Sequence, residues 1–368
     1  MVPGGVDPSG EYRVIPALLA LLRRLTMSHE VEVFALRQQR EPAEWTLYGA
    51  RVHNLGAGRT RPRAVALLVR RHRQRPFDVV HSLWSADCGM VAVAAARVLR
   101  RPSLVHVAGG ELVSLPQIGY GGRQSLRGRL REALVLRLAT CVSAASTPMV
   151  ESLAALGIRA RRIPLGVDLR LWPARPPQPR TPGAPARLLF AGSLNAVKDP
   201  QTLVRSVAQL RACGERLQLD IAGEDVCDGQ VQRLVRELAL EPVVRFHGFL
   251  THAQLRPLME RATLLLLSSR HEAGPLVVLE AAAVGVPTVG TRVGHLAEWA
   301  PHAALAVPVA DPAALAAAVA QLLADEPRRL RLAHEAQARA LAQDADFTAR
   351  QFEAVYGELS RGGGRSGT

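Results

Sequence analysis

The chain has 368 residues, 48% hydrophobic but only 4% aromatic, with a formal charge of +14. That length suits two cores better than one, and the shortage of aromatics means that Leu, Val and Ala must fill them. The richest apolar stretch, Ala303 to Leu323, is broken by Pro308, Asp311 and Pro312, which excludes a membrane-spanning helix, and Cys88, Cys141, Cys213 and Cys227 are too scattered for a zinc site and fit a reducing cytoplasm.

The chain opens on Met1-Val-Pro-Gly-Gly-Val-Asp-Pro-Ser-Gly10, a glycine-rich loop that feeds an apolar helix over Val14–Leu25. Such a loop follows a strand in βα units, so the pattern predicts a sheet whose first strand is missing from the N-terminus, which also lacks a signal-peptide layout. Strands are expected at Val31–Leu36, Asp78–His81, Ser103–Val107 and Thr140–Ser143, with basic amphipathic helices over Arg61–Arg75 and Arg123–Arg137. In the second helix Leu126, Leu130, Leu134 and Leu138 recur every four residues between arginines. That spacing suits a membrane interface and equally a helix packed on a sheet. The excess charge reads either as arginine-rich coding or as attraction to an anionic surface. Without stacking aromatics or a known motif, no nucleic-acid partner is expected.

Pro173 to Pro185 holds six prolines in thirteen residues and reads as a linker. Beyond it, strands at Arg187–Ala191, Leu217–Ala222, Val243–His247, Leu264–Leu267 and Pro287–Gly290 alternate with helical patterns at Thr202–Cys213, Gln230–Leu240 and Leu255–Ala262. The alternation predicts an α/β chain with two Rossmann-like, doubly wound parallel-sheet domains facing a cleft, ligands lying at the carboxyl ends of strands. The expected boundaries are 1–172 for the first domain, 173–185 for the linker and 186–345 for the second domain. Residues 346–368 would form a C-terminal helix and a tail, disordered from Gly357.

Two segments carry chemistry. Ser268-Ser-Arg-His-Glu-Ala-Gly-Pro-Leu-Val-Val-Leu-Glu280 follows an apolar strand and enters a helix near Pro275. The backbone N–H groups of Ala273, Gly274 and Leu276 face outward at that helix start, an arrangement that binds anions such as a diphosphate. Glu272 stands in the loop, and Glu280, an acceptor when ionised, suits paired sugar hydroxyls. The plainer alternatives are a helix-start charge for Glu272 and a solvated face for Glu280. In the second segment, Leu188-Leu-Phe-Ala-Gly-Ser-Leu-Asn-Ala-Val-Lys-Asp-Pro200, a strand runs through Gly192 and Ser193 to Lys198 and then a helix. Lys198 is the only lysine among 46 basic residues, and a lysine in such a loop commonly meets phosphate as a point charge.

The spacing Glu272-x7-Glu280, followed by Ala281-x3-Gly285-x-Pro287-x-Val289 and Gly294, resembles the retaining glycosyltransferases of family 4, as do Gly4-Gly5 with Ser9-Gly10 and Ile163-Pro-Leu-Gly-Val-Asp168. The resemblance implies the GT-B fold, a nucleoside-diphosphate sugar as co-substrate, retention of anomeric configuration, and no cofactor or metal. It implies transfer to a glycan or lipid-linked acceptor, as in bacterial polysaccharide biosynthesis, in the cytoplasm or peripherally at the inner membrane face. Carried over by position, Glu272 would contact the donor sugar, Glu280 the ribose and Lys198 the diphosphate. Gly192, Ser193 and Ala273 to Leu276 would complete the donor seat, with Phe246 to Gly248 at the nucleobase. Gly4, Gly5, Gly10, His81, Gly109, Gly110 and Glu111 would face the acceptor. Two departures stand out. Ser193 occupies the neighbourhood where the family usually has arginine, and Ala108 replaces the common histidine of the loop Val107-Ala-Gly-Gly-Glu-Leu112. His106 or His81 could compensate, so His106 and Glu111 join Lys198 and Glu272 as catalytic candidates. A GT-B-fold epimerase and a degenerate sugar-nucleotide-binding partner subunit remain open alternatives.

Overall fold

The computed structural model of the protein describes residues 1–362. It divides into two units, Met1–Gly166 together with the chain from Ala345, and Val167–Asp344.

The first unit contains, in chain order, α1 (Pro16–Leu25), β1 (Glu32–Ala35), β2 (Ala43–Leu47), β3 (Ala50–Asn54), α2 (Thr60–Gln74), β4 (Val80–Leu83), α3 (Asp87–Leu99), β5 (Ser103–Val107), α4 (Leu126–Leu138), β6 (Cys141–Ala144), α5 (Thr147–Ala154) and β7 (Arg161–Arg162). One sheet has the order β1-β3-β2 and the other β4-β5-β6-β7. The first two residues lie between them: the Val2 N–H donates to the Phe34 carbonyl, and the Leu83 N–H to the Met1 carbonyl. The hairpin β2–β3 was not foreseen from the sequence. Its turn is made by Tyr48 at φ +49 and Gly49 at φ +84, the two left-handed residues that match strand twist.

The second unit contains β8 (Ala186–Ala191), α6 (Pro200–Ala212), β9 (Leu217–Ala222), α7 (Gln230–Glu237), β10 (Val244–Gly248), α8 (His252–Glu260), β11 (Leu264–Leu267), α9 (Leu276–Ala283), β12 (Thr288–Thr291), α10 (Gly294–Trp299), β13 (Leu305–Val307), α11 (Pro312–Ala324) and α12 (Glu326–Ala342). Its sheet is wholly parallel, in the order β10-β9-β8-β11-β12-β13. The fully apolar β11, Leu264 to Leu267, is buried on both faces, as a central parallel strand must be. Separate cores fill the two sides of the sheet, mostly aliphatic but with Phe190 in one and Trp172 and Trp299 in the other.

Two boundaries differ from expectation. The proline-rich segment is a strap on the second unit rather than a free linker. The Arg180 guanidinium donates to the Leu323 carbonyl at 2.8 Å, and Arg329 donates to the Gln178 carbonyl at 2.6 Å. A Cβ on Gly285 would sit 2.6 Å from the Pro177 nitrogen, so the strap lies flat on that turn. The last helix, α13 (Ala345–Gly362), belongs to the first unit, because Ala349, Phe352 and Val355 are buried in that unit's core. Arg24 pairs with Asp346 there, and Thr348 Oγ1 donates to the Pro164 carbonyl at 2.7 Å. Gly357 to Gly362, expected to be disordered, is helical; the rest of the expected tail lies outside the described residues.

Candidate active site

In the second unit the chain winds outward from β8 through β9 and β10 in one direction, and through β11, β12 and β13 in the other. Loops leaving the carboxyl ends of β8 and β11 therefore diverge, and a parallel sheet binds ligands where its strand order reverses in this way. Both chemistry-bearing segments of the sequence leave these two strands.

The β8 loop is tightly specified. Gly192 and Gly223 lie at φ +156 and +151, and a Cβ on Gly223 would fall 2.0 Å from the Gly192 oxygen. Only glycine permits the strand ends to approach so closely. Asn195 Oδ1 accepts the N–H groups of Val197 and Lys198 at 3.0 and 2.9 Å. Asp199, at φ +47, caps α6 by accepting the Thr202 N–H. Two bonds stitch this loop to the β11 loop: Ser268 Oγ donates to the Lys198 carbonyl at 2.8 Å, and the Arg270 N–H donates to the Val197 carbonyl at 2.7 Å.

The result brings Lys198 and Glu272 together, Nζ to Oε1 at 2.5 Å, with Ser269 Oγ donating to the same oxygen at 2.6 Å. Both side chains keep some exposure, 23% and 14%, so a ligand can reach the pair. Just beyond it, Pro275 caps α9 and its carbonyl accepts the Val278 N–H at 3.1 Å, leaving the N–H groups of Leu276 and Val277 without helical partners. Gly294, at φ +49, closes the far side; a Cβ there would stand 2.8 Å from Pro275 Cδ and 3.2 Å from Glu272 Cβ. Arg270 was passed over by the sequence reading. Its Nε lies 3.0 Å from Asp199 Oδ2, which puts a guanidinium beside the loop where Ser193 replaces the family arginine. Its signal was position, two residues before Glu272 in a strand-to-helix loop.

Glu280 lies one helical turn deeper and is buried. Its Oε1 is 3.7 Å from His252 Nδ1, and the Trp172 indole N–H donates to that same nitrogen at 3.2 Å. Burial pushes the Glu280 carboxyl up to about 8, the Trp172 N–H opposing the shift, while burial lowers His252. A neutral carboxyl at the end of a site is an acid–base or hydroxyl-binding group in reserve. The solvated face considered for Glu280 is not where it lies. Phe246 turns inward against the core, whereas Phe249 just past β10 is 44% exposed, an aromatic the sequence reading overlooked. Gly248, at φ +66, has no heavy atom within 4 Å of a built Cβ.

In the first unit the candidates disperse. His106 is fully buried, its Nδ1 2.9 Å from Ser143 Oγ and its ring edge-on to Phe352 at 5.2 Å; burial drives it down to about 3. His81 Nδ1 is 2.7 Å from the Tyr356 hydroxyl, and burial holds His81 well below its ordinary range. Both rings face α13, so neither stands where the missing loop histidine would. Glu111 is buried and accepts the Ser85 N–H at 3.2 Å, while Ser85 Oγ donates to Glu132. Burial raises both carboxyls, Glu132 to about 7. Gly110 abuts Tyr120, and Gly109 lies against Glu111 and Trp84, so Glu111 ties this loop to the end of β4. Gly5 and Val6 give their N–H groups to Gln38 Oε1 at 2.6 and 3.1 Å, and Gly10, at φ +69, closes on the Tyr48 hydroxyl. Gln38 is thus the residue that shapes the glycine-rich loop, and nothing in its sequence context marks it.

Two α/β units, one with a switch-point crevice holding a Lys–Glu pair at a helix start, define a GT-B-type protein. Two family models take in most of the chain: "Glycosyl transferase 4-like domain" over residues 10–166 and "Glycosyl transferases group 1" over 174–339. A glycogen synthase from Mycobacterium tuberculosis strain H37Rv is 35% identical over 54% of this chain and 48% of its own, so the chain spans about half of that relative. A D-inositol 3-phosphate glycosyltransferase from Kineococcus radiotolerans is 29% identical over 96% of this chain and 91% of its own. The fold is also similar to a sucrose-phosphate synthase from Thermosynechococcus elongatus, with TM-score 0.79, 22% identity and coverage of 97% of this chain and 98% of that one. Anabaena HepE, solved with UDP and glucose, gives TM-score 0.74, 18% identity and the same two coverages. The chain belongs to the group-1 glycosyltransferases of the family-4 type.

Proposed function

We propose that the protein transfers a sugar from a nucleoside-diphosphate donor to an acceptor hydroxyl, with retention of anomeric configuration and no metal. The observation that carries this reading is the Lys198–Glu272 pair in front of the α9 N-terminus. A diphosphate seated there meets one ammonium and the positive end of a helix, which together stabilise the charge that grows as the sugar leaves. Lys198, Glu272 and the backbone of Gly192, Ser193 and Ala273 to Leu276 hold the diphosphate and sugar. Glu280 takes the ribose hydroxyls, and the segment Phe246 to Phe249 borders the base. Charge stabilisation in this reading falls to Lys198, Arg270 and the helix start. The acceptor, a glycan or lipid-linked sugar, belongs to the first unit, where Glu111 orders the loop Ala108 to Gly110 and acts as a positioning residue. His106 and His81, both turned toward α13, take no part in the step.

A thermal-shift screen against UDP-, GDP- and ADP-sugars, followed by NMR detection of released sugar, tests the proposal. A donor at about 100 times its Kd stabilises the fold by about 2.7 kcal/mol, and the product anomer reports the stereochemistry. Absence of any donor shift would refute the site; a shift without sugar release or transfer would make the protein a binding partner subunit instead.

A further inference from the structure

The leucine repeat of α4 does not pack on the sheet. Leu126, Leu130 and Leu134 are 71%, 62% and 54% exposed, whereas Gly128, Glu132, Val135 and Leu136 fill the buried side. At 100° per residue the three leucines form one stripe about 12 Å long, directly opposite the buried face. Arg127, Arg129 and Arg137 are exposed around it, and among the described residues no carboxylate pairs with Arg127 or Arg137. The one acid between Gly121 and Leu138 is Glu132, and it points inward to Ser85. The solvent face is therefore apolar and cationic, with no negative charge of its own.

We propose that this face of α4 docks the protein onto an anionic lipid surface, the leucines entering the acyl boundary and the guanidinium groups reaching the phosphates. Two features favour lipid over a protein partner. The stripe is a single leucine wide, far short of the roughly 800 Å² per side that a stable protein interface buries, whereas a bilayer needs no matching shape. The arginines flank it at the height where long basic side chains snorkel to headgroups, and shallow apolar insertion combined with basic charge is the pairing that gives stable peripheral binding. Neither feature depends on the transfer reaction.

Co-sedimentation of the full chain with phosphatidylcholine vesicles, and with vesicles containing about 30% phosphatidylglycerol, tests the inference. Binding should favour the anionic vesicles at least tenfold at low salt and weaken as salt rises. The variant L126S/L130S/L134S should lose at least about tenfold of that partition. R127Q/R137Q should lose about fivefold per arginine. Both variants should keep the thermal transition of the parent. Should the triple variant misfold, Leu130→Ser alone carries the test, with a loss of about threefold. Equal binding to both vesicle types, or leucine variants that bind like the parent, would overturn the proposal. So would a parent that is dimeric by light scattering and a triple variant that is monomeric, because the stripe would then be a self-interface.

Discussion

Replacing Glu280 by glutamine should remove a pH-dependent weakness of the second unit. Unfolded, the carboxyl gives up its proton near 4.5; folded and buried, it holds the proton up to about 8. The native state thus binds one proton more than the unfolded chain between those values, and each pH unit costs the native state about 1.4 kcal/mol. The contribution of Glu280 is intact below pH 4.5, declines through neutrality and is lost by pH 8, a total of about 5 kcal/mol. A glutamine of the same shape has no proton to lose. The stability difference between Glu280→Gln and the parent should therefore grow in favour of the variant from pH 5 to pH 8. Urea unfolding of both proteins at pH 5, 6.5 and 8 measures it directly, and subtraction removes every other titrating group. A difference independent of pH would refute the burial argument. The same proton has a functional counterpart. If Glu280 takes the ribose hydroxyls as proposed, they bond better to the ionised carboxylate, and donor binding near pH 7 should release up to one proton, visible as a buffer-dependent heat in calorimetry.

Lys198→Ala should lower turnover by about 10²- to 10³-fold while changing stability by less than about 1 kcal/mol, because the pair with Glu272 is partly exposed; steady-state transfer assays and thermal melts separate the two effects. Gly223→Ala forces a methyl against the Gly192 carbonyl at a left-handed φ and should cost about 3 kcal/mol, read from urea midpoints and from lost donor binding. Phe352→Ala empties the fully buried contact between α13 and the His81 and His106 rings. It should destabilise the first unit by about 3 to 5 kcal/mol and leave donor binding by the second unit unchanged, which calorimetry with UDP-sugar checks.

The candidate site of the second unit was legible because strand-to-helix loops write their chemistry locally. Glu272 and Lys198 each sit a few residues from an apolar strand, and the strand order that joins them follows from doubly wound parallel topology. Their direct contact was not legible, since 74 residues separate them and two other strands intervene in sequence. Arg270 escaped notice for a different reason: one more arginine in an arginine-rich chain carries no compositional signal. The first unit was harder. His106 looked available because it ends a strand, yet a parallel strand with both faces covered buries its polar residues too, and the covering helix, α13, comes from the far end of the chain. Proline content likewise marked 173–185 as irregular without showing that the segment is tied down at Arg175, Gln178 and Arg180.

The charges around the β8 and β11 loops suggest how the site works. Lys198 is matched by Glu272 and Arg270 by Asp199, so without ligand the two loops are close to neutral and each cation is held in place. A diphosphate adds negative charge to this balanced set. In the proposed reading it would share Lys198 with Glu272, or draw Arg270 away from Asp199, while the N–H groups of Leu276 and Val277 take the remaining oxygens. Glu272, anchored by Ser269, would then stay within reach of the sugar in the proposed pose. Removing the charge alone, as in Glu272→Gln, should tighten UDP by freeing Lys198 while slowing transfer, because the ammonium would gain phosphate contact and the sugar would face a neutral amide in place of a carboxylate. An inhibition constant for UDP that falls together with kcat would support this division of labour; weaker UDP binding in Glu272→Gln would show that the pair holds the phosphate seat open rather than competing for it.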